Sequence, residues 1–252
     1  MSDKYLSKIR HWVKGMLKNR PTVIKAMDIL LAIAFLGLMA VSLSKQVHAK
    51  GLDFGSIDEL NAAAEHCLVP SNEDAVAACS QLLSSRVSLT LSQIITLYLA
   101  RGNAYRFARD LRQAMQDYSQ AIETDKNSRD AYVYRGSLSI QIGALRSAIS
   151  DFNRAIELDP GISDAYYNRG VAYKGAEGCA KAFPDFDRAI ALNPSFANPY
   201  YAKGVCEQQK GNVLKALSYY DKAIQIDPRF VDALYNRGSV YISQGTFLQR
   251  SL

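Results

Sequence analysis

The sequence predicts an all-α chain in which helix–turn–helix hairpins repeat every 34 residues, preceded by one N-terminal apolar helix behind a basic flank. Three observations lead there. Glycine recurs at a fixed spacing, at Gly102, Gly136, Gly170, Gly204 and Gly238. Alanines and an aromatic recur in the same register. A single uncharged apolar run follows a cluster of bases near the N-terminus.

The first element is that run. Residues 1–25 carry Lys4, Lys8, Arg10, Lys14, Lys18, Arg20 and Lys25 against Asp3, and no charge occurs from Ile29 to Leu43. Extended over residues 26–44, with Asp28 at the boundary, the segment reaches the roughly 20 residues that cross about 30 Å of hydrocarbon. Two readings compete. In one it is an uncleaved transmembrane anchor, oriented by bases that stay on the cytoplasmic side. In the other it is a signal-peptide core, with Val47-His48-Ala49 as the small-residue cleavage site before Lys50. The long basic segment favours the anchor, and in both readings the remainder is exported. A buried core helix fits poorly, because no polar face recurs at helical spacing. Residues 45–55 read as a linker.

Charge follows the same division. The chain of 252 residues holds 30 Lys and Arg against 24 Asp and Glu, a formal charge of +6. Residues 1–49 hold eight bases and two acids, so they account for all of it, and the remainder is neutral. The basic balance is therefore an orientation signal rather than a footprint for nucleic acid.

The repeats come next, as blocks 95–128, 129–162, 163–196 and 197–230 and a truncated block 231–252. Counting from Ile95, position 20 is Ala114, Ala148, Ala182 and Ala216, and position 27 is Ala121, Ala155, Ala189 and Ala223. Position 24 is Tyr118, Phe152, Phe186 and Tyr220. Small residues at 8, 20 and 27 let two helices and the next repeat approach closely, while the aromatic fills the gap between them. Pro160, Pro194 and Pro228 cannot continue a helix interior and separate the repeats. Gly143, Gly211 and Gly245 are expected in the turns between helices. Residues 56–89 align as a degenerate first repeat, with Ala63, Ala75, Cys79 and Leu82 at positions 8, 20, 24 and 27 and with Asn72-Glu73-Asp74 as capping residues for its second helix. The last block is expected to run out within its second helix, leaving Leu234 and Tyr241 on an apolar end that either pairs with another molecule, as in a homodimer, or is shielded by its own last residues.

This register resembles the tetratricopeptide-repeat family over residues 95–252, in its period and in its small, aromatic and proline positions. The resemblance implies a right-handed α-α superhelix, a solenoid of helix–turn–helix repeats with a concave inner face that binds peptides or proteins. Together with the N-terminal segment it leads to the expectation of an exported bacterial protein: inner-membrane anchored with a periplasmic repeat domain and its N-terminus inside, or periplasmic or secreted after cleavage near Ala49. Cys67 and Cys79 look like the pair that staples the opening hairpin in exported members. Cys179 and Cys206, at positions 17 and 10 of successive blocks, face the interior near one edge in the stacked family, so a bridge there would join two repeats. Free buried thiols and reactive or metal-binding thiols are the alternatives. No Cys-x-x-Cys occurs and no histidine lies beyond His66, which disfavours zinc.

An enzyme needs a constellation, and none is legible. There is no phosphate loop, no nucleophile motif and no His-x-x-x-His; His11, His48 and His66 read as solvated, and no cofactor is implied. Asp151, Asp185, Asp187 and Asp221 read as charges on the outer faces of second helices. In the family the groove is formed by positions 2, 5, 6, 9, 12 and 13 of each first helix. The candidate groove residues are Asn103, Arg106, Tyr134, Tyr167, Asn168, Tyr201, Tyr235 and Asn236, in which rings would supply area and amides would bond a peptide backbone. The alternative is that some of these tyrosines pack against the neighbouring repeat. The subfamily that grips a C-terminal carboxylate would need bases where this chain has Leu99 and Asp164, and of its pattern only Asn103 matches. Arg101, Arg135, Arg169, Lys203 and Arg237, all at position 7, are expected to engage neighbouring carboxylates. The expected protein is a non-catalytic scaffold of the envelope with a peptide or protein partner. A structural subunit assembling through its last block is the second reading.

Overall fold

The computed structural model describes residues 57–69, 74–85 and 88–250. The basic segment, the anchor or signal core, the linker, His11, His48 and the cleavage site near Ala49 all lie outside the described residues. Among the described residues no helix is long and apolar enough to cross a membrane.

The described chain is helical throughout, an array of tetratricopeptide-type hairpins in two compact units. The first unit, ending at Asp117, holds α1 (Ile57–Cys67), α2 (Ala75–Ser84), α3 (Leu91–Phe107) and the first half of α4 (Leu111–Thr124). Ala63, Ala75, Cys79 and Leu82 are all buried, and with Leu97 and Ala100 most of them form its core. Cys67 and Cys79 are joined in a disulfide, with Cα atoms 4.8 Å apart. Asp74 stands at the N-cap of α2 but makes no side-chain capping bond, and the other two expected capping residues, Asn72 and Glu73, lie outside the described residues. The cap that does form is on α3, which starts four residues before the 34-residue register does. Thr90 Oγ1 accepts from the Gln93 backbone N–H at 3.3 Å, and Gln93 Oε1 accepts from the Thr90 N–H at 2.8 Å.

The second unit, from Tyr118, continues with α5 (Arg129–Gln141), α6 (Leu145–Leu158), α7 (Ser163–Glu177), α8 (Cys179–Leu192), α9 (Ala197–Gln209), α10 (Val213–Ile226) and α11 (Val231–Arg250). From α6 onward each helix packs on the one before it, giving the hairpins α5–α6, α7–α8 and α9–α10 stacked in series. Buried clusters lie along the stack, Phe152 with Ala148, Ala155, Ala165 and Ala172, then Phe186 with Ala182, Ala202 and Cys206, then Tyr220 with Ala216 and Val240. The position-8 glycines make that packing possible. A Cβ on Gly136 would lie 3.0 Å from the Phe152 ring, and one on Gly170 or Gly204 would lie 2.6 Å from Phe186 or Tyr220. Cys179 and Cys206 are bridged across α8 and α9, with Cα atoms 5.6 Å apart, and so tie two repeats together.

Turns are built twice per repeat. Between repeats, the residue at position 31 folds its side chain onto the backbone N–H two residues on: Asp125 to Asn127 at 2.8 Å, Asp159 to Gly161 at 2.8 Å, Asn193 to Ser195 at 3.1 Å and Asp227 to Arg229 at 3.0 Å. Within repeats, Gly143 and Gly211 take φ +78°. Gly245, at the same position of the last block, does not make a turn. It lies inside α11, which runs on to Arg250, so the second helix expected there is absent from the described residues and α11 is one continuous helix.

Candidate functional site

Two sets of side chains follow the 34-residue register, one that joins repeats and one that faces outward from the first helices. The joining set centres on position 7. Arg135 grips Asp151 with two parallel bonds of 3.0 and 2.7 Å and extends its third nitrogen to Ser119 of the preceding repeat at 3.2 Å. Arg169 does the same with Asp185 at 2.8 and 2.6 Å and with Asn153 at 2.8 Å. In the first unit Arg101 does so with Asp117 and Ser80. Each guanidinium also lies over the tyrosine three residues earlier, Tyr98, Tyr132 or Tyr166. Hydrogen bonding to the aspartate outweighs desolvation and raises each arginine further above its ordinary range.

Of the acids expected on solvated outer faces, Asp187 and Asp221 are exposed. Asp151 and Asp185, with Asp117 at the same position of its block, are instead only 6%, 6% and 4% exposed. They face inward because each lies one residue before the core aromatic of its helix. In the fourth regular block Tyr219 stands where the aspartate should be. Lys203 therefore turns back to Asp187 of the preceding repeat at 2.5 Å, with its ammonium 4.7 Å from the Tyr219 ring centre. Arg237 likewise reaches back to Asp221 at 2.7 Å.

The outward set lies on α7, α9 and α11. Tyr167 is half-buried, its ring 5.1 Å from Phe196 and 6.1 Å from Phe186 in its own repeat. Tyr201 repeats this one block later against Phe230 at 5.1 Å and Tyr220 at 5.9 Å. Their hydroxyls link to the next first helix: Asn198 bonds the Tyr167 phenol, and Asn236 Nδ2 donates to Tyr201 Oη at 3.1 Å. Burial raises the pKa of both phenols, with the Asp164 and Asp232 carboxylates adding to the effect. Beneath them Tyr220 is pushed up to about 12, again chiefly by burial, and donates to Gln208 at 2.5 Å. Burial also raises Asp164.

The expected groove residues thus divide. Tyr167, Tyr201 and Asn236 come together on one strip, with Asn168 one turn from Asp164 on the same helix face. Tyr134 is half-buried and stacks on Tyr118 of the preceding repeat, with centroids 5.7 Å apart. Tyr235 is 75% exposed on α11. Asn103 and Arg106 lie on α3 in the first unit, Asn103 half-buried and Arg106 exposed. Asp164 and Asn198 belong to the strip but not to the expected set. Both stand at position 2 of their blocks, on the same helix face as position 5, and that register would have found them.

Comparison with known proteins agrees with this geometry. Sequence signatures described as tetratricopeptide repeat and TPR repeat match residues 99–165 and 207–245. No curated protein matches the chain. Among solved structures, one described as MamA protein is 29% identical, covering 61% of this chain and 84% of its own, with a TM-score of 0.53. Another, YrrB, described as a TPR protein with an unusual peptide-binding site, is 23% identical, covering 82% of this chain and 99% of its own, with a TM-score of 0.56. With its 34-residue register, stacked hairpins and two matched signatures, this chain is a tetratricopeptide-repeat array, matched as such at residues 99–165 and 207–245.

Proposed function

We propose that the chain is a non-catalytic interaction scaffold of the bacterial envelope, binding a peptide or protein partner along the first-helix face of its second unit. The observation that carries this reading is the strip from Asp164 through Tyr167, Asn198 and Tyr201 to Asn236. Its rings and amides are aligned from repeat to repeat and stay half-exposed although the core aromatics beneath them are sealed. Such a strip offers flat area to side chains and hydrogen bonds to an extended backbone. The family signature supports partner binding, and the peptide-binding site ascribed to YrrB supports a peptide as the ligand.

The envelope location rests on the basic N-terminal segment with its apolar run, and on two cystine bridges, which persist in oxidising compartments. The test is affinity capture from envelope extracts. Tyr167 and Tyr201 brace Phe196 and Phe230, so Asn168→Ala combined with Tyr235→Ala is the cleaner variant. Loss of captured partners is expected, and an unchanged set overturns the groove. Protease added outside intact spheroplasts should digest the repeat domain; full protection would overturn the location.

Assembly through α11 is the second reading, favoured by one observation. Gly238 has nothing within 4 Å of a would-be Cβ, whereas Gly136, Gly170 and Gly204 each receive a ring, and Leu234 and Tyr241 beside it are exposed. Light scattering of the full chain against concentration decides it: a monomer throughout removes this reading.

A further inference from the structure

Most of the partly or fully buried acids along the repeats of the second unit are held in ion pairs, and Asp164 is not. Asp151 and Asp185 each hold an arginine, Asp187 holds Lys203, Asp221 holds Arg237, and Arg129 is shared by Asp130 and Asp159. Asp164 is half-buried at the start of α7, and among the described residues it makes no ion pair. The bases around it are committed elsewhere. Arg169 on the same helix faces Asp185 and Asn153, Arg135 on α5 faces Asp151, and Lys203 on α9 faces Asp187. Lys174 shares the helix but lies ten residues on, about 15 Å along the axis, beyond the reach of a contact. A second carboxylate, Asp232, stands at the same register position two repeats later, where it acts on the Tyr201 phenol. The outward strip therefore carries two carboxylates with no ion pair among the described residues, flanked by tyrosine rings and amides, in a chain whose charges from residue 50 onwards sum to zero.

We infer that this strip takes an extended basic peptide, with a lysine or arginine of the partner seated against Asp164 beside the Tyr167 ring. The inference rests on the groove reading above and adds to it the charge of the ligand. A cationic side chain would regain in the complex what Asp164 lacks in the free protein, a charge-assisted hydrogen bond in a partly desolvated place. The adjoining phenol ring offers its face to the same cation. Asn168 and Asn198 are then placed to bond the peptide backbone on either side. An acidic ligand or a nucleic-acid backbone would meet repulsion at both Asp164 and Asp232.

The test uses the full-length chain in detergent and three fluorescein-labelled, end-blocked nonapeptides: alternating Ser and Lys, the same with Gln for Lys, and the same with Glu for Lys. Anisotropy titrations at low ionic strength should show the lysine peptide binding about tenfold or more tightly than the glutamine peptide, and the glutamate peptide weakest. Asp164→Asn, nearly isosteric, should reduce the lysine preference about five- to tenfold with unchanged thermal unfolding, while Glu177→Gln, an exposed acid off the strip, should leave it within about twofold. Equal binding of the lysine and glutamine peptides, or a lysine preference that survives Asp164→Asn, overturns the charge assignment and leaves the groove standing. If none of the three peptides binds and the Asn168→Ala, Tyr235→Ala variant captures the same partners as the wild type, the groove reading itself falls.

Discussion

Arg109 holds a backbone conformation that glycine takes elsewhere in the array. Its φ is +66°, against +78° at Gly143 and Gly211, and all three occupy position 15 of their blocks. An L side chain in this left-handed region is strained, and Arg109 is exposed, so its side chain gains little in return. Arg109→Gly is expected to stabilise the first unit by about 0.5–1 kcal/mol, read as a higher urea midpoint with unchanged slope. A second residue-scale expectation concerns the phenols. Tyr167, Tyr201 and Tyr220 have folded pKa values raised above the ordinary value of 10, Tyr220 to about 12, chiefly by burial. The folded state therefore keeps protons that the unfolded state has lost. The stability these groups contribute is complete below pH 10 and declines as pH rises from 10 towards 12. Ultraviolet titration of phenolate should show a lagging fraction, and thermal stability should fall over the same window. Parallel ionisation of all the tyrosines would contradict the burial.

At the scale of the element, three glycines in one register should respond differently to the same change. Alanine is the better helix former by about 1 kcal/mol. At Gly170 and Gly204 its methyl would press within 2.6 Å of Phe186 and Tyr220, an overpacking of about 1–3 kcal/mol that outweighs the gain. At Gly238 nothing lies within 4 Å, so the gain stands alone. Gly170→Ala and Gly204→Ala are thus expected to lower the melting temperature and Gly238→Ala to raise it. A lower melting temperature for Gly238→Ala would show that its socket is filled, as assembly through α11 requires. The glycine, alanine and aromatic positions were legible in the sequence because hairpin packing imposes them at a constant spacing. The inward turn of Asp151 and Asp185 was not. Their 34-residue recurrence was visible, but the arginine that each meets comes from 16 residues earlier on another helix, and no helical periodicity links the two. The Thr90–Gln93 capping box has a sequence signature, Thr-x-x-Gln, but the 34-residue register starts four residues later and does not point to it.

At the scale of the whole molecule, the two cystines brace different units, Cys67–Cys79 the first and Cys179–Cys206 the second. The loops they close correspond to about 3 and about 3.5 kcal/mol of chain entropy removed from the unfolded state. Cys67→Ser with Cys79→Ser should therefore lower hydrogen-exchange protection in residues 57–117 and leave residues 118–250 largely unchanged. The double serine variant at 179 and 206 should do the reverse. Alkylation under denaturing, non-reducing conditions should label no thiol in the wild type. The sequence by itself determined the helix–turn–helix period, the small and aromatic core register and the breaks between repeats, since each depends on residue spacing along one chain. Only the tertiary structure decided which polar groups remain open to a partner. Tyr167 and Tyr201 lean on Phe196 and Phe230, Lys203 turns back to Asp187 because Tyr219 stands where an aspartate would be, and Asp164 is left without a base. Whether a side chain is already satisfied depends on which neighbours the stacked repeats bring within bonding distance, and a one-dimensional register does not contain that.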